Sequence, residues 1–261
     1  MTGFSPQPTE VGDQRAEALR AGLADVRERV ARACDAAGRD PAEVTVIVVT
    51  KFFPASDVRR LAALGVRDMG ENRDQEASAK FADVKADTAG LRLHFIGQIQ
   101  TNKAASVASY ADVVHTVDRL KLVTALDRGA AAADRRLRVL VQVDLDPARP
   151  AATLGAVATA AASAGPARGG ADPADVGGLV AAVQASAALD LLGVMAVAPL
   201  GVDPGPAFGR LADVSRAVRA VVPDATWISA GMSGDLEVAI RHGATHLRVG
   251  TAILGSRPTL R

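Results

Sequence analysis

Short apolar runs alternate with longer amphipathic stretches along most of the chain. From about residue 12 to 37, apolar residues recur at spacings of three and four while arginines and carboxylates fill the gaps. This periodicity predicts an amphipathic helix that ends at Gly38. Eight short apolar segments follow, and each is typical of a buried β-strand. They are residues 44–50, 66–69, 92–96, 112–117, 138–144, 191–197, 226–229 and 246–249.

Strands that alternate with helices predict parallel β/α units, and eight such units most simply form a closed (β/α)8 barrel. A doubly wound open sheet is the main alternative, but the chain lacks the GxGxxG motif of its dinucleotide-binding members. The 261 residues and 49% hydrophobic content suit one barrel domain. We therefore expect residues 1–261 to form a single domain.

One stretch departs from the alternation. Residues 147–178 are rich in Ala, Gly and Pro. This composition predicts a long excursion after the fifth strand, most simply a solvated linker. It would lie on the face of the barrel where loops carry function.

Composition excludes several classes of function. The net charge is +1, basic and acidic residues are interleaved, and only 3% of residues are aromatic, which argues against nucleic-acid binding. No apolar run reaches the length of a membrane span, and the N-terminus lacks a signal-peptide pattern, so we expect a cytoplasmic protein. Cys34, the single cysteine, is expected in the core. The four histidines lack zinc-site spacing, and His94 is expected to be a hydrogen-bonded core residue.

Lys51 directly follows the first predicted strand and precedes Phe52, Phe53 and Pro54. A lysine at the end of a buried strand could simply be a surface charge. An amine beside apolar walls, however, is poorly solvated, which lowers its pKa and favours the nucleophilic form. Such an amine can form a Schiff base with a carbonyl compound.

Two glycine-containing loops follow the seventh and eighth predicted strands. The first contains Gly231 and Ser233, and the second contains Gly250. In (β/α)8 barrels these loops commonly bind phosphate through backbone N–H groups and hydroxyls. Ser233 could instead be a helix cap and Gly250 a turn residue. Together with Lys51, the loops predict a site for a phosphorylated carbonyl compound.

Arg248 lies two residues before Gly250 and is expected to point into the same mouth of the barrel. Its guanidinium is a cation at any relevant pH. The alternative is a rim salt bridge, for example to Asp235.

The chain resembles the pyridoxal phosphate homeostasis protein family from about residue 15 to 257. The resemblance rests on motifs that occur in the family's order: Val49-Thr50-Lys51, Met69-Gly70-Glu71-Asn72 with Gln75-Glu76, the run from His94 to Lys103, His115-Thr116-Val117-Asp118-Arg119, Gly231-Met232-Ser233, and the run from Arg248 to Gly255. It implies a fold type III barrel, like the N-terminal domain of alanine racemase, that carries pyridoxal 5′-phosphate (PLP).

The resemblance also implies roles for individual residues. Lys51 would form the Schiff base, and Arg248 would pair with the pyridine nitrogen. The remaining cofactor-binding residues would be the phosphate binders Ser233, Gly250 and Thr251, with Asn72 and Met232 beside the cofactor. The chain departs from the family at Arg73, where a tyrosine or similar residue is usual, and in the length of the 147–178 excursion.

Three functions remain open. The first is storage, delivery or balancing of PLP by a monomer without strong turnover, with apo-forms of PLP enzymes as candidate partners. The second is a PLP-dependent amino-acid racemase or decarboxylase. It is disfavoured because a cationic Arg248 would leave the ring a weak electron sink, and because no second acid/base residue or following β-domain is visible. The third is a Schiff-base aldolase acting on a phosphorylated sugar.

Overall fold

The structure, a computed structural model, describes residues 8–145 and 169–256, and only the backbone of residues 8–13. Within these residues, eight parallel strands pair in sequence order and form a closed barrel. The strands are β1 (Thr45–Val49), β2 (Asp68–Glu71), β3 (Arg92–Phe95), β4 (Val113–Val117), β5 (Leu137–Gln142), β6 (Leu189–Met195), β7 (Trp227–Ser229) and β8 (His246–Val249).

Strand β1 closes the barrel by pairing with β2 on one side and β8 on the other. Val48 pairs with Met69 of β2 and with Val249 of β8. This closure confirms the predicted (β/α)8 barrel and excludes the open sheet. Each strand lies within two residues of its predicted position, and the largest shifts are at β2 and β6.

Helices surround the barrel and connect its strands. They are α1 (Pro8–Ala36), α2 (Ala55–Ala63), α3 (Asp74–Asp87), α4 (Ala104–Tyr110), α5 (Leu120–Ala132), α6 (Val176–Gln184), α7 (Gly205–Val221), α8 (Leu236–Arg241) and α9 (Thr251–Leu254). Short 3₁₀ turns occupy Pro41–Glu43, Thr101–Lys103 and Pro173–Asp175. No helix in the described part of the chain is both long and apolar enough to span a membrane.

Helix α1 precedes the barrel and packs on α8 and α9. Its buried face includes Leu19, Leu23 and Cys34, as its periodicity predicts. Gly22 permits the close approach to α9, because a Cβ atom there would lie 2.8 Å from the carbonyl oxygen of Ile253. The N-terminal helix therefore packs directly behind the last two βα loops.

Residues 147–168 of the predicted excursion lie outside the described residues. The described remainder begins with a bridge between Val143 and Ala171. It continues through Pro173–Asp175 into the first turn of α6.

Candidate functional site

The carboxyl ends of all eight described strands face the same mouth of the barrel, where (β/α)8 proteins build their sites. Lys51 lies three residues beyond Val48, and Gly250 lies one residue beyond its partner Val249. A Cβ atom on Gly250 would lie 3.5 Å from the carbonyl oxygen of Val49. The predicted lysine and one predicted phosphate loop therefore meet at the edge formed by β1 and β8.

A turn immediately after Lys51 fixes the exit of β1. Phe52 has a φ of 70°, a left-handed conformation that is rare for a bulky residue. Its backbone N–H donates to Glu76 Oε1 at 2.7 Å. The Lys51 amine lies 6.0 Å from the centre of the Phe52 ring, and the Arg73 guanidinium lies 4.8 Å from the same centre. Arg73 thus covers the ring next to the predicted Schiff-base lysine.

A buried ionic network supports this turn, and the sequence analysis did not identify it. Lys80 donates to Glu71 Oε1 at 2.7 Å, to the carbonyl oxygen of Thr50 at 3.0 Å and to Glu76 Oε1 at 3.1 Å. Burial raises the pKa of Glu71, and the ammonium of Lys80 opposes that shift. The available signal was the spacing of Glu76 and Lys80, which are four residues apart on one predicted helix.

The two predicted phosphate loops meet through their hydroxyl groups. Thr251 Oγ1 donates to Ser233 Oγ at 3.3 Å, and the backbone N–H of Ala252 donates to the same oxygen at 3.4 Å. Ser233 does not cap α8, whose N-cap is Asp235. Gly231 makes this turn with a φ of 90°, and a Cβ atom there would lie 2.7 Å from Ala239 Cβ.

Arg248 is buried inside the mouth, and it forms no rim salt bridge with any residue that the structure describes. One terminal nitrogen donates to Ser229 Oγ at 2.7 Å, and the other donates to the carbonyl oxygen of Ala196 at 2.8 Å. Burial lowers the pKa of Arg248 to about 10, and the charge of Asp235 opposes the shift. The guanidinium therefore remains a cation at neutral pH, in agreement with the sequence-based expectation.

Asn72 follows β2 at the same mouth. Its side-chain oxygen is buried and has no hydrogen-bond partner among the described residues. Leaving such an acceptor unpaired costs about 1–3 kcal/mol, so a ligand that supplied a donor would bind favourably here. Gly97 packs against the Asn72 backbone so closely that a Cβ atom would lie 2.2 Å from its carbonyl oxygen.

Met232 is half-buried in the loop after β7. Its backbone N–H donates to Asp235 Oδ1 at 2.6 Å. That donor is therefore directed at its own loop, and a contact between Met232 and the cofactor stays a prediction.

His94 agrees with the expectation of a hydrogen-bonded core role. His94 is fully buried and contacts Asp68 Oδ1 at 2.8 Å through Nε2. In the described ranges no cluster of three or more His, Cys, Asp or Glu residues could hold a metal ion.

Tyr110 ends α4, and its hydroxyl donates to Asp74 Oδ1 at 3.1 Å. Burial raises the pKa of Tyr110 well above its usual value.

The donor and acceptor groups at the mouth fit PLP. Lys51 would supply an amine for the aldehyde, Ser233 and Thr251 would supply hydroxyls for the phosphate, and Arg248 would supply a buried cation for the ring nitrogen. The unpaired oxygen of Asn72 lies at the same end of the barrel. Each individual assignment is a prediction.

Fold and site define a barrel of the alanine racemase type. The family described as "Alanine racemase, N-terminal domain" matches residues 21–258. Alanine racemase from Corynebacterium glutamicum superposes with a TM-score of 0.65 at 13% identity, covering 94% of this chain and 63% of that one. At this identity the likeness shows the fold alone.

Closer relatives define the family within that class. The pyridoxal phosphate homeostasis protein of Mycobacterium bovis is 44% identical, over 94% of this chain and 95% of its own. PipY of Synechococcus elongatus, solved with PLP bound, has a TM-score of 0.74 and 30% identity, over 91% of this chain and all of its own. The chain belongs to the pyridoxal phosphate homeostasis protein family.

Proposed function

We propose that the protein binds PLP as a Schiff base on Lys51 and stores, delivers or balances the cofactor within the cell. The observation that carries this proposal is the meeting of Lys51 with two hydroxyl-bearing loops at one barrel mouth. The solved PLP complex of PipY, a 30% identical relative, supports the choice of ligand.

In this proposal each residue at the mouth has a separate task. The Lys51 amine joins the aldehyde carbon of PLP, and the aldehyde oxygen leaves as water. Ser233, Gly250 and Thr251 bind the phosphate, since hydroxyls and closely approaching backbone N–H groups suit an anion. Asn72 and Met232 border the cofactor.

Arg248 limits the chemistry that the bound cofactor supports. Since the guanidinium stays charged, it donates to the ring nitrogen instead of letting that nitrogen take a proton. A neutral ring is a weaker electron sink, which disfavours racemisation, transamination and decarboxylation. A racemase also needs a second acid/base group on the opposite face. Tyr110, the single tyrosine of the chain, does not supply this group in our proposal, because its hydroxyl is hydrogen-bonded to Asp74.

We also infer that the whole chain acts as one domain, as a monomer, and in the cytoplasm. The buried free thiol of Cys34 is consistent with a reducing compartment. The receivers of PLP would be apo-forms of PLP-dependent enzymes.

A comparison of cofactor transfer with turnover tests this function. The PLP-loaded protein is incubated with an apo-form of a PLP enzyme, and recovery of that enzyme's activity is followed. In parallel it is incubated with single amino acids, and racemisation, keto-acid formation and amine release are measured. We expect transfer without turnover. Turnover in the enzymatic range of about 1–10³ s⁻¹ with a common amino acid would contradict the carrier function and favour a racemase or decarboxylase.

A further inference from the structure

A continuous line of hydrogen-bonded side chains runs through the barrel interior from Arg248 to Asp68. Arg248 contacts Ser229 Oγ at 2.7 Å, and Ser229 Oγ lies 2.9 Å from His115 Nδ1. His115 Nε2 lies 2.9 Å from His94 Nδ1, and His94 Nε2 lies 2.8 Å from Asp68 Oδ1. The five residues come from five different strands, β8, β7, β4, β3 and β2.

The line connects the mouth of the barrel with its opposite end. Asp68 and Arg92 are the first residues of β2 and β3 and therefore lie at that opposite end. Asp68 exposes only a small part of its side chain to solvent there, and Arg92 exposes more. Arg92 Nε lies 2.8 Å from Asp68 Oδ1, and the Arg92 side chain is 44% exposed. The three central members, Ser229, His115 and His94, have no exposed surface.

With both histidines neutral, the carboxylate end of the line fixes the direction of every hydrogen bond in it. An arginine can only donate, and an ionised carboxylate can only accept. His94 therefore donates from Nε2 to Asp68, and its Nδ1, which carries no proton in a neutral ring, accepts from His115 Nε2. The Nδ1 of a neutral His115 then accepts from the Ser229 hydroxyl, whose oxygen accepts from Arg248.

Both histidines are neutral in this arrangement, and their burial is the physical reason. Burial lowers the pKa of His115 well below its usual value, and the positive charge of Arg248 acts in the same direction. Burial also lowers the pKa of His94, against the opposing effect of Asp68. Burial tends to raise the pKa of Asp68, but its hydrogen bonds from His94 and Arg92 outweigh burial and lower it.

We propose that Asp68, His94, His115 and Ser229 form a directed relay that positions Arg248 toward the ring nitrogen of the bound cofactor. The inference rests on the proposed function, since it gives four residues a task in binding PLP. One terminal nitrogen of Arg248 donates to Ser229 of the relay, and the other donates to the carbonyl oxygen of Ala196. A guanidinium has five N–H donors, so further donors remain for a ring acceptor.

The ring protons of the histidines test the relay directly, without any cofactor. Nitrogen-15 NMR of the purified protein distinguishes the protonated from the unprotonated ring nitrogen in each histidine. We expect both His94 and His115 as the neutral form with the proton on Nε2. A proton on Nδ1 of either residue, or a doubly protonated ring at neutral pH, would overturn the relay.

A ligand comparison tests the positioning role. PLP and its 1-deaza analogue, in which carbon replaces the ring nitrogen, are titrated against the parent protein and Ser229→Ala. The parent should prefer PLP. The variant should lose about tenfold in affinity for PLP, because a hydrogen bond that orients a charged group is lost, while its affinity for the analogue stays unchanged. Ser215→Ala, at a serine 2% exposed on α7 and outside the relay, is the matched control.

Ser229→Thr keeps the hydroxyl and should retain the preference for PLP. It therefore serves as a second variant at the same position in case Ser229→Ala fails to fold. If the parent prefers PLP and Ser229→Ala keeps that preference in full, the relay does not position Arg248 and this inference alone fails. If the parent binds both ligands equally, the ring-nitrogen role of Arg248 in the proposed function fails, and the positioning role fails with it.

Discussion

Phe52, the residue directly after Lys51, adopts a backbone conformation with a φ of 70°. Such a conformation costs of order 1–3 kcal/mol in a non-glycine residue and persists only where its surroundings enforce it. Here the Glu76 carboxylate accepts the Phe52 N–H, and Lys80 holds both Glu76 and the carbonyl of Thr50. The strained turn and its ionic support together set the direction in which Lys51 leaves the barrel wall.

At the same scale, the hydroxyls of Ser233 and Thr251 should decide the affinity for the phosphate. Removing both with Ser233→Ala and Thr251→Ala takes away two charge-assisted hydrogen bonds, each worth roughly 1.5–3 kcal/mol. PLP affinity should fall by at least about tenfold. Pyridoxal, which lacks the phosphate, is the control and should bind parent and variant alike. An equal loss for both ligands would place the phosphate elsewhere.

The sequence predicts single residues where a strand end and a glycine loop mark them. The predictions for Lys51, Ser233 and Gly250 rest on such marks. The Lys80 network could not be recognised as a support for Lys51, because its carboxylates could equally have been solvated charges on a helix face. Burial of Glu71 and Lys80 becomes visible only once α3 lies on the barrel.

At the scale of elements, helix α1 packs behind the two predicted phosphate loops, against α8 and α9. Arg29 on α1 forms a bidentate ion pair with Glu237 of α8, with N–O distances of 2.8 and 3.0 Å. It also donates to the carbonyl oxygen of Ser233 at 3.0 Å. A helix outside the barrel thus orients the backbone of the loop that carries a predicted phosphate binder.

Arg29→Ala should therefore weaken PLP binding although Arg29 is not predicted to touch the cofactor. Loss of a partly exposed ion pair and one backbone contact is worth about 1 kcal/mol, which corresponds to about fivefold in affinity. Isothermal titration with PLP and with pyridoxal measures the effect. Arg32→Ala, which removes an exposed pair with Glu28 on the same helix, is the control and should bind like the parent. An equal loss in both variants would contradict a specific role for Arg29.

Hydrophobic periodicity predicts most elements well, since strand runs and the α1 stripe are local features. Strand β8 begins and ends where the pattern places it, and α1 begins four residues earlier than predicted. The contact between Arg29 and Ser233 joins residues 204 positions apart, so no local pattern could indicate it.

At the scale of the whole molecule, the barrel interior contains three buried histidines whose pKa values burial lowers: His94, His115 and His246. For His246 the pKa falls to about 3 from an ordinary 6.5. The unfolded chain therefore takes up protons first as the pH falls below 6.5. Stability that is present at pH 7 is lost progressively on acidification toward the folded-state values.

We expect the free energy of unfolding, measured by urea denaturation, to be lower at pH 5 than at pH 7. His246 alone should account for about 2 kcal/mol, because pH 5 lies about 1.5 units below its unfolded pKa. Glu71, whose pKa burial raises, acts in the opposite direction as a single group. His246→Gln should reduce the difference. A difference that His246→Gln does not alter would show that folding does not lower the pKa of His246.

The alternation of strands and helices predicts barrel closure, but it does not predict the relay inside the barrel. Closure brings β8 next to β1, and side chains from non-adjacent strands then meet on the axis. Ser229 and His115 are 114 residues apart in the chain. The sequence analysis accordingly identified His94 as a core residue without finding its partners.

The most direct test of the central claim is to identify the lysine that binds PLP. The purified protein is loaded with PLP, reduced with borohydride, digested, and analysed by mass spectrometry. We predict one cofactor-sized mass on the peptide that contains Lys51, together with loss of the visible absorption band in Lys51→Ala while the fold is retained. Lys103→Ala is the matched control and should label normally. Label on Lys103 or Lys121, or a band that survives in Lys51→Ala, would contradict the account.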